Sequence, residues 1–258
     1  MQHVKTTLLR IPDEQKTYVL TSNQADAILQ GVEQANGYYE PHLMRWIQKN
    51  IAADAICMDV GANLGAISIA MAHQAKQGIV YAFEPSAHNY RYLSFNVHHN
   101  QMHNIVPIQA GAYDENIELT FSYVDFGGGW SHITTPHSRH GIQEVVPCVR
   151  LDDWMKQANL HRLDCIKIDV EGAETRVLKG AENLLRQLRP HVLIEFNPDA
   201  QRNIFGEDPE QLYNALKQLC PRLSVINFDG SIVPIHQYAD LQRMFADGRQ
   251  LCDLWGML

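Results

Sequence analysis

The stretch Ala55-Ile56-Cys57-Met58-Asp59-Val60-Gly61-Ala62-Asn63-Leu64-Gly65 decides the fold: an apolar run closes on an acidic residue, turns through two glycines and opens into a small-residue segment. It reads as a buried strand, a tight turn and a helix start, the arrangement that holds a nucleotide-derived cofactor over a parallel sheet. Gly61 and Gly65 permit positive φ and let a ligand approach the backbone. The answering feature is Phe83-Glu84-Pro85. There an acidic residue ends the next strand, and one carboxylate can accept hydrogen bonds from both hydroxyls of a ribose.

From residue 55 onward strand and helix periods alternate, which predicts an α/β chain with a mostly parallel sheet covered by helices on both faces. Strands are expected at 55–60, 79–84, 105–109, 163–169, 191–196, 223–228 and 251–256. Leu64, Ile67, Ser68 and Met71 recur with helical spacing and predict one apolar helix stripe. Ile117, Leu119 and Phe121 alternate with polar residues, as do parts of 144–149, and predict an antiparallel excursion from the main sheet. Val177, Leu178, Ala181, Leu184, Leu185 and Leu188 predict an amphipathic helix that ends before Arg189-Pro190. Leu212, Ala215, Leu216 and Leu219 mark the last clear helix, stopped by Pro221. Residues 1–50 read as an N-terminal helical cap with some strand at its start, and 51–258 as the cofactor-binding domain.

A chain of 258 residues with 45% hydrophobic content can bury one substantial core. The formal charge of -8 opposes a surface that tracks phosphates, so nucleic acid is not the expected partner. The five cysteines, at 57, 148, 165, 220 and 252, form no C-x-x-C pair and read as buried thiols in a reducing compartment. The charged N-terminus carries no apolar stretch of signal-peptide length, and no run approaches the roughly 18 apolar residues of a membrane span. A soluble, cytoplasmic protein without a membrane partner is expected.

Asn63 stands where dinucleotide-binding loops carry a second glycine, and Ala66 takes the place of the third. Asn tolerates the left-handed region, but its side chain narrows the space a pyrophosphate would occupy, which weakens the case for NAD. S-adenosylmethionine, an adenosine joined to an amino acid without phosphates, suits the turn better. Gly61, Ala62, Asn63 and Gly65 would meet its amino acid end, with Asp59 at the strand end, while Glu84, beside Pro85, would take the ribose. Asp114 follows Gly111-Ala112-Tyr113 at a place from which a carboxylate can reach an adenine amino group. Asp-Glu-Asn at 114–116 is equally good turn chemistry.

Four motifs occur in order: Asp59-Val60-Gly61-Ala62-Asn63, Tyr81-Ala82-Phe83-Glu84-Pro85, Val149-Arg150-Leu151-Asp152-Asp153, and Ile166-Lys167-Ile168-Asp169-Val170-Glu171-Gly172-Ala173-Glu174. Together they resemble the FkbM-type S-adenosylmethionine-dependent methyltransferases. The likeness runs from about Gly37-Tyr38-Tyr39-Glu40-Pro41 to Glu195-Phe196-Asn197-Pro198. It implies the class I methyltransferase fold, a seven-stranded Rossmann-like sheet with a reversed last strand, and O-methylation of hydroxyls on small molecules or sugars. An NAD-dependent oxidoreductase shares the strand-turn-helix, against which Asn63 and Ala66 argue. A noncatalytic module that kept the sheet and lost the chemistry shares it too.

Methyl transfer is an in-line displacement, so the protein mainly aligns donor and acceptor and keeps water out, while a hydroxyl acceptor must also lose its proton. Asp169 and Glu171 stand at and just beyond a strand end, where ligands bind in open α/β sheets. Asp169 is assigned to positioning donor or acceptor and Glu171 to accepting the proton; acidic complements to a helix dipole are the alternative. Lys167 shares a strand face with Asp169 and can hold a carboxylate ionised, unless it faces solvent. Glu195 and Asn197 would overhang the same cleft as substrate contacts. Asn89 and Asn96, on the helix after Glu84, are expected at the exposed surface, with Asn96 the candidate to brace the cleft. The segment from Phe126 to His132 contains three consecutive glycines and reads as a substrate loop. In it Trp130 offers a flat apolar surface, and His132, titrating near neutrality, is a second candidate base. His132, His137 and His140, like His98, His99 and His103, lack the spacing of a helical zinc site, and no metal is expected.

Overall fold

The computed structural model describes residues 4–123, 132–135, 142–246 and 248–258. The leading segment is an antiparallel hairpin of β1 (Val4–Arg10) and β2 (Thr17–Asn23), followed by α1 (Ala27–Gln34) and α2 (Pro41–Asn50). Asp26 caps α1 by accepting from the N–H groups of Ile28 and Leu29. Pro41 begins α2, where its missing N–H leaves no bond unmade.

The deciding stretch forms β3 (Ile56–Val60) and α3 (Ala66–Gln74), then come β4 (Ile79–Phe83), α4 (Ala87–His99) and β5 (Ile105–Ile108). The chain next leaves the main sheet for β6 (Gly111–Ala112), β7 (Ile117–Tyr123), β8 (His132–Ile133) and β9 (Ile142–Val149), which make a separate sheet of order β6-β9-β7-β8. It returns through α5 (Leu151–Gln157) to β10 (Cys165–Ile168), then α6 (Glu174–Gly180), α7 (Glu182–Leu188) and β11 (His191–Phe196). A short α8 (Pro198–Ala200) and a π-turn over 201–205 precede α9 (Pro209–Leu219) and β12 (Arg222–Ile226). The rest is β13 (Ile232–Ile235), α10 (Tyr238–Ala246) and β14 (Cys252–Met257).

The main sheet runs β13-β12-β14-β11-β10-β3-β4-β5. Strands β11, β10, β3, β4 and β5 are parallel, whereas β14 lies antiparallel to both β11 and β12. It has eight strands, not the seven expected. The addition, β13, follows a tight turn in which Asp229 accepts from the Ser231 N–H, and Pro234 is tolerated because the strand is at an edge. The order reverses between β3 and β10, so the loops leaving their ends open a crevice there.

Alternation along the central strands sends Met58, Val60, Ile166, Ile168, Val192 and Ile194 to one layer, packed with Leu151, Val177, Leu184 and Leu212. The opposite face carries Cys57, Cys165 and Leu193, and packs on α2, α3 and the hairpin. On that face Asp59, Lys167 and Glu195 take positions that the period reserves for core residues.

Three local expectations change. Helix α3 is buried all round from Ala66 to Ala72 and not along one stripe, because Leu43, Met44 and Ile47 of α2 join its core from the outer side. The N-terminal segment therefore shares its core with the sheet. The single helix expected over 177–188 is two, broken at Ala181, and beside the break the Tyr113 carbonyl occupies the place of a Gly180 Cβ. The stretch after residue 229 supplies β13 and α10, which the apolar periodicity did not mark. All five cysteines are free and buried.

Candidate active site

The turn after β3 enters the left-handed region at Gly61 (φ 86°), Asn63 (φ 50°) and Gly65 (φ 88°). The N–H groups of Gly61 and Ala62 both donate to the Phe83 carbonyl, at 3.0 and 2.9 Å, tying the turn to the end of β4. A Cβ on Gly61 would overlap the Asp169 carbonyl, so this glycine is demanded by the neighbouring strand end and not by ligand approach. Gly65 begins α3, and its Cβ would lie 2.7 Å from a flexible Leu93 methyl. Gly65→Ala is expected to lower stability by about 1–2 kcal/mol, the left-handed cost, since the leucine can move. A urea midpoint unchanged from the parent would contradict this.

Glu84 leaves the end of β4 and is 4% exposed. Its two oxygens accept from the N–H groups of Asn63 (2.9 Å) and Ser86 (3.0 Å), and the Asn89 amide lies against it. Burial pushes this carboxyl up to about 7, and the backbone donors hold it from rising further. It faces a cleft of about 1010 Å³, counting its open mouth. Beside it Phe121, Ile133 and Cys148 of the small sheet make an apolar wall. A carboxylate in reach of a diol, next to an apolar slot, fits a nucleoside, and the Gly61–Leu64 backbone fits the amino acid that S-adenosylmethionine carries.

Across the switch point the cleft is polar, lined by Tyr39, Glu40, Lys167, Asp169, Glu171 and Glu195. Lys167 Nζ lies 2.9 Å from Asp169 Oδ2 and 3.9 Å from Asp59 Oδ1. Burial draws the ammonium downward, but Asp169, Asp59 and Glu40 outweigh it and keep the lysine charged. Asp59 also accepts from Ser68 Oγ at 2.5 Å. Burial and neighbouring carboxylates push Glu40 up to about 8, and Glu171 and Glu195 well above the carboxylate range, against the pull of Lys167 on Glu40 and Glu171. Glu174 accepts from the N–H groups of Val170 and Gly172, both at 3.1 Å, and so fixes the loop that carries Glu171. Glu40 (φ 42°) and Glu171 (φ 53°) join Asn63 as cleft-lining non-glycine residues in the left-handed region. Strain of this kind persists where surrounding structure enforces it, and it concentrates at functional sites.

The structure thus brings Gly61, Ala62, Asn63, Glu84, Pro85, Asp169, Glu171 and Glu195 to one cleft. Asp59, Gly65, Asp114, Asn197 and His132 do not line it. Asp59 lies beneath the cleft as a brace for Lys167, and Gly65 sits behind the turn. Asp114 is held by Lys179 at 2.7 Å and Arg176 at 3.3 Å outside the cleft lining. Asn197 caps α8 by accepting from the Ala200 N–H at 3.1 Å. His132 pairs across strands with Ser122, and it is the adjacent Ile133 that lines the cleft. Trp130 and the glycines before it lie outside the described residues.

The asparagines correct the expectation of an exposed surface. Asn89 is 2% exposed and lines the cleft, and Asn96 is fully buried. Asn96 donates to the Leu64 carbonyl (3.0 Å) and bonds Thr21 through both its amide atoms, joining the hairpin to the turn. Tyr39 and Glu40 gained no role from sequence, although Pro41 marks a helix start just after them. Among the described residues no group of three or more His, Cys, Asp or Glu side chains is placed to hold a metal, and no helix is long and apolar enough to cross a membrane.

A family model described as the methyltransferase FkbM domain matches residues 59–220. "Methyltransferase 1" of Beauveria bassiana is 27% identical over 164 residues, covering 55% of this chain, which spans 64% of that relative's length. The hexuronic acid methyltransferase AglP of Haloferax volcanii is 22% identical over 196 residues, 75% of each chain. Among solved structures, the precorrin-6y C5,15-methyltransferase of Geobacter metallireducens superposes with a TM-score of 0.50 over 97% of this chain and 98% of that one, at 10% identity, a likeness of fold alone. The cofactor is S-adenosylmethionine. With the family match spanning the turn, Glu84 and the Asp169–Glu171 strand end, the chain belongs to the FkbM methyltransferases.

Proposed function

We propose that the chain transfers a methyl group from S-adenosylmethionine to a hydroxyl of a small molecule or sugar. The observation that carries this is one cleft with Glu84 on one side of the switch point and Asp169 and Glu171 on the other. Bound there, the cofactor supplies a methyl carbon whose bonding pair leaves with sulfur. Asp169, held by Lys167, orients the acceptor hydroxyl. Glu171 takes the hydroxyl proton on a carboxylate oxygen, a task suited to a carboxyl whose hold on a proton is strengthened by burial and by its acidic neighbours. Phe121 and Ile133 keep water from the donor side. The Haloferax relative named for hexuronic acid supports a sugar-like acceptor class, and the free, buried cysteines favour a reducing, cytoplasmic setting.

The test pairs calorimetry with S-adenosylhomocysteine and transfer of a labelled methyl to a library of hydroxyl compounds. Glu171→Gln is expected to bind S-adenosylhomocysteine within about threefold of the parent and to lose transfer by roughly 10²–10⁴-fold, the usual worth of a positioned base. No binding at millimolar ligand would sink the donor reading, and full transfer by Glu171→Gln would sink the assigned base.

A further inference from the structure

The polar end of the cleft is unbalanced in charge. Four carboxyl side chains, Glu40, Asp169, Glu171 and Glu195, line it against one ammonium, Lys167, which is already taken up by Asp169 at 2.9 Å and approached by the buried Asp59 at 3.9 Å. Asp253 lies directly across the strand pairing from Glu195 and engages His42 at 2.7 Å, so that imidazole too is committed. Among the described residues no ion pair reaches Glu40, Glu171 or Glu195, and the buried Oε2 of Glu40 has no hydrogen-bond partner. These groups come from three separate elements, the start of α2, the loop after β10 and the end of β11, and converge only here.

Carboxyls left without cations inside a protein do one of two things. They keep their protons and act as hydrogen-bond donors to neutral oxygens, or they ionise when a cation arrives from outside. An incoming anion gains nothing comparable, because the one lysine among the described residues that line the cleft is spent.

We propose that this end of the cleft selects the methyl acceptor by charge. It takes a hydroxyl acceptor bearing an ammonium group, with uncharged polyhydroxyl compounds next in preference, and it rejects acceptors that carry a carboxylate or phosphate near the reacting hydroxyl. The proposal rests on the donor reading above, since it is the bound donor that brings the acceptor to this wall. It also separates this chain from the chemistry in the Haloferax relative's name. A hexuronate placed here would bring a further carboxylate against Glu40, Asp169, Glu171 and Glu195.

Ligands that differ only in the charge at the point of transfer test this without knowing the acceptor. Calorimetry would compare S-adenosylhomocysteine, a neutral thioether, with two analogues in which a carbon replaces the sulfur and carries an aminomethyl or a carboxymethyl group. Affinity is expected to fall from ammonium to thioether to carboxymethyl by about tenfold or more at each step, the scale of a charge met at short range in a partly buried site. Glu195→Gln is expected to narrow the whole spread by about tenfold, and Glu40→Gln, on a different element, to do the same independently. Equal binding of the three ligands, or a preference for the carboxymethyl analogue, would overturn the proposal and leave the donor site standing. Failure of all three to bind at millimolar concentration would overturn the donor reading and the proposal with it.

Discussion

Replacing Lys167 by Met should cost about 3–5 kcal/mol of folding stability, the scale set by removing one partner of a buried ion pair. The lysine is buried between Asp59, which is fully buried, and Asp169, and methionine matches its length without its charge. Against a total of about 5–15 kcal/mol for a typical domain this is a large fraction. The loss arises less from the missing attraction than from the fully buried Asp59 carboxylate left without its cation, with the partly exposed Asp169 beside it. The double variant Asp59→Asn with Lys167→Met should therefore recover much of the loss, and the two changes should be strongly non-additive. Urea midpoints of the parent, both single variants and the double variant decide the matter. A Lys167→Met midpoint within about 1 kcal/mol of the parent would show that Lys167 is no brace.

Glu84→Gln should weaken S-adenosylhomocysteine binding by about 30–100-fold, since each hydrogen bond to a charged group contributes about 1.5–3 kcal/mol. The amide keeps one acceptor oxygen but no charge. The pH dependence identifies the group. Burial raises Glu84 to about 7 from an ordinary 4.5, so the empty protein keeps that proton below neutrality. For stability, Glu84's contribution is fully present below 4.5 and is lost as pH rises through 7, because the folded state holds the proton more tightly than the unfolded chain does. For binding the sign is opposite. Two ribose hydroxyls need the ionised carboxylate, so affinity should rise by about tenfold between pH 6 and 8, and the slope should flatten in Glu84→Gln. A parent titration as flat as the variant's would contradict the assignment.

The strands were legible because their periods are local. Ile56–Val60, Ile79–Phe83 and Cys165–Ile168 are short apolar runs bounded by turn residues, and Glu84 and Asp169 just past two of their ends face the crevice, while Asp59 lies beneath it. Lys167 could be placed beside Asp169 for the same reason, since alternation over two residues is a local rule. What failed was tertiary. Asp114 has a fitting position in sequence, yet Lys179 and Arg176 on α6 reach it first. Asn89 and Asn96 carry the polar side chains of an exposed helix, and nothing near them in the chain announces that Glu84 and the hairpin will bury them. Glu40 is the sharpest case. Its role follows from α2 folding back over β10, β11 and β14, a consequence of Leu43, Met44 and Ile47 needing the core that α3 offers.

That last packing relation divides the molecule's inheritance unevenly. The family match begins at residue 59, whereas Tyr39, Glu40 and His42 lie before it. A lineage that exchanged its leading fifty or so residues while keeping α3's outer surface apolar would retain the donor grip and acquire a different clientele. On the proposed reading, new acceptors would then arise by exchange of a helix and hairpin, with the Glu84 end of the cleft left as it is.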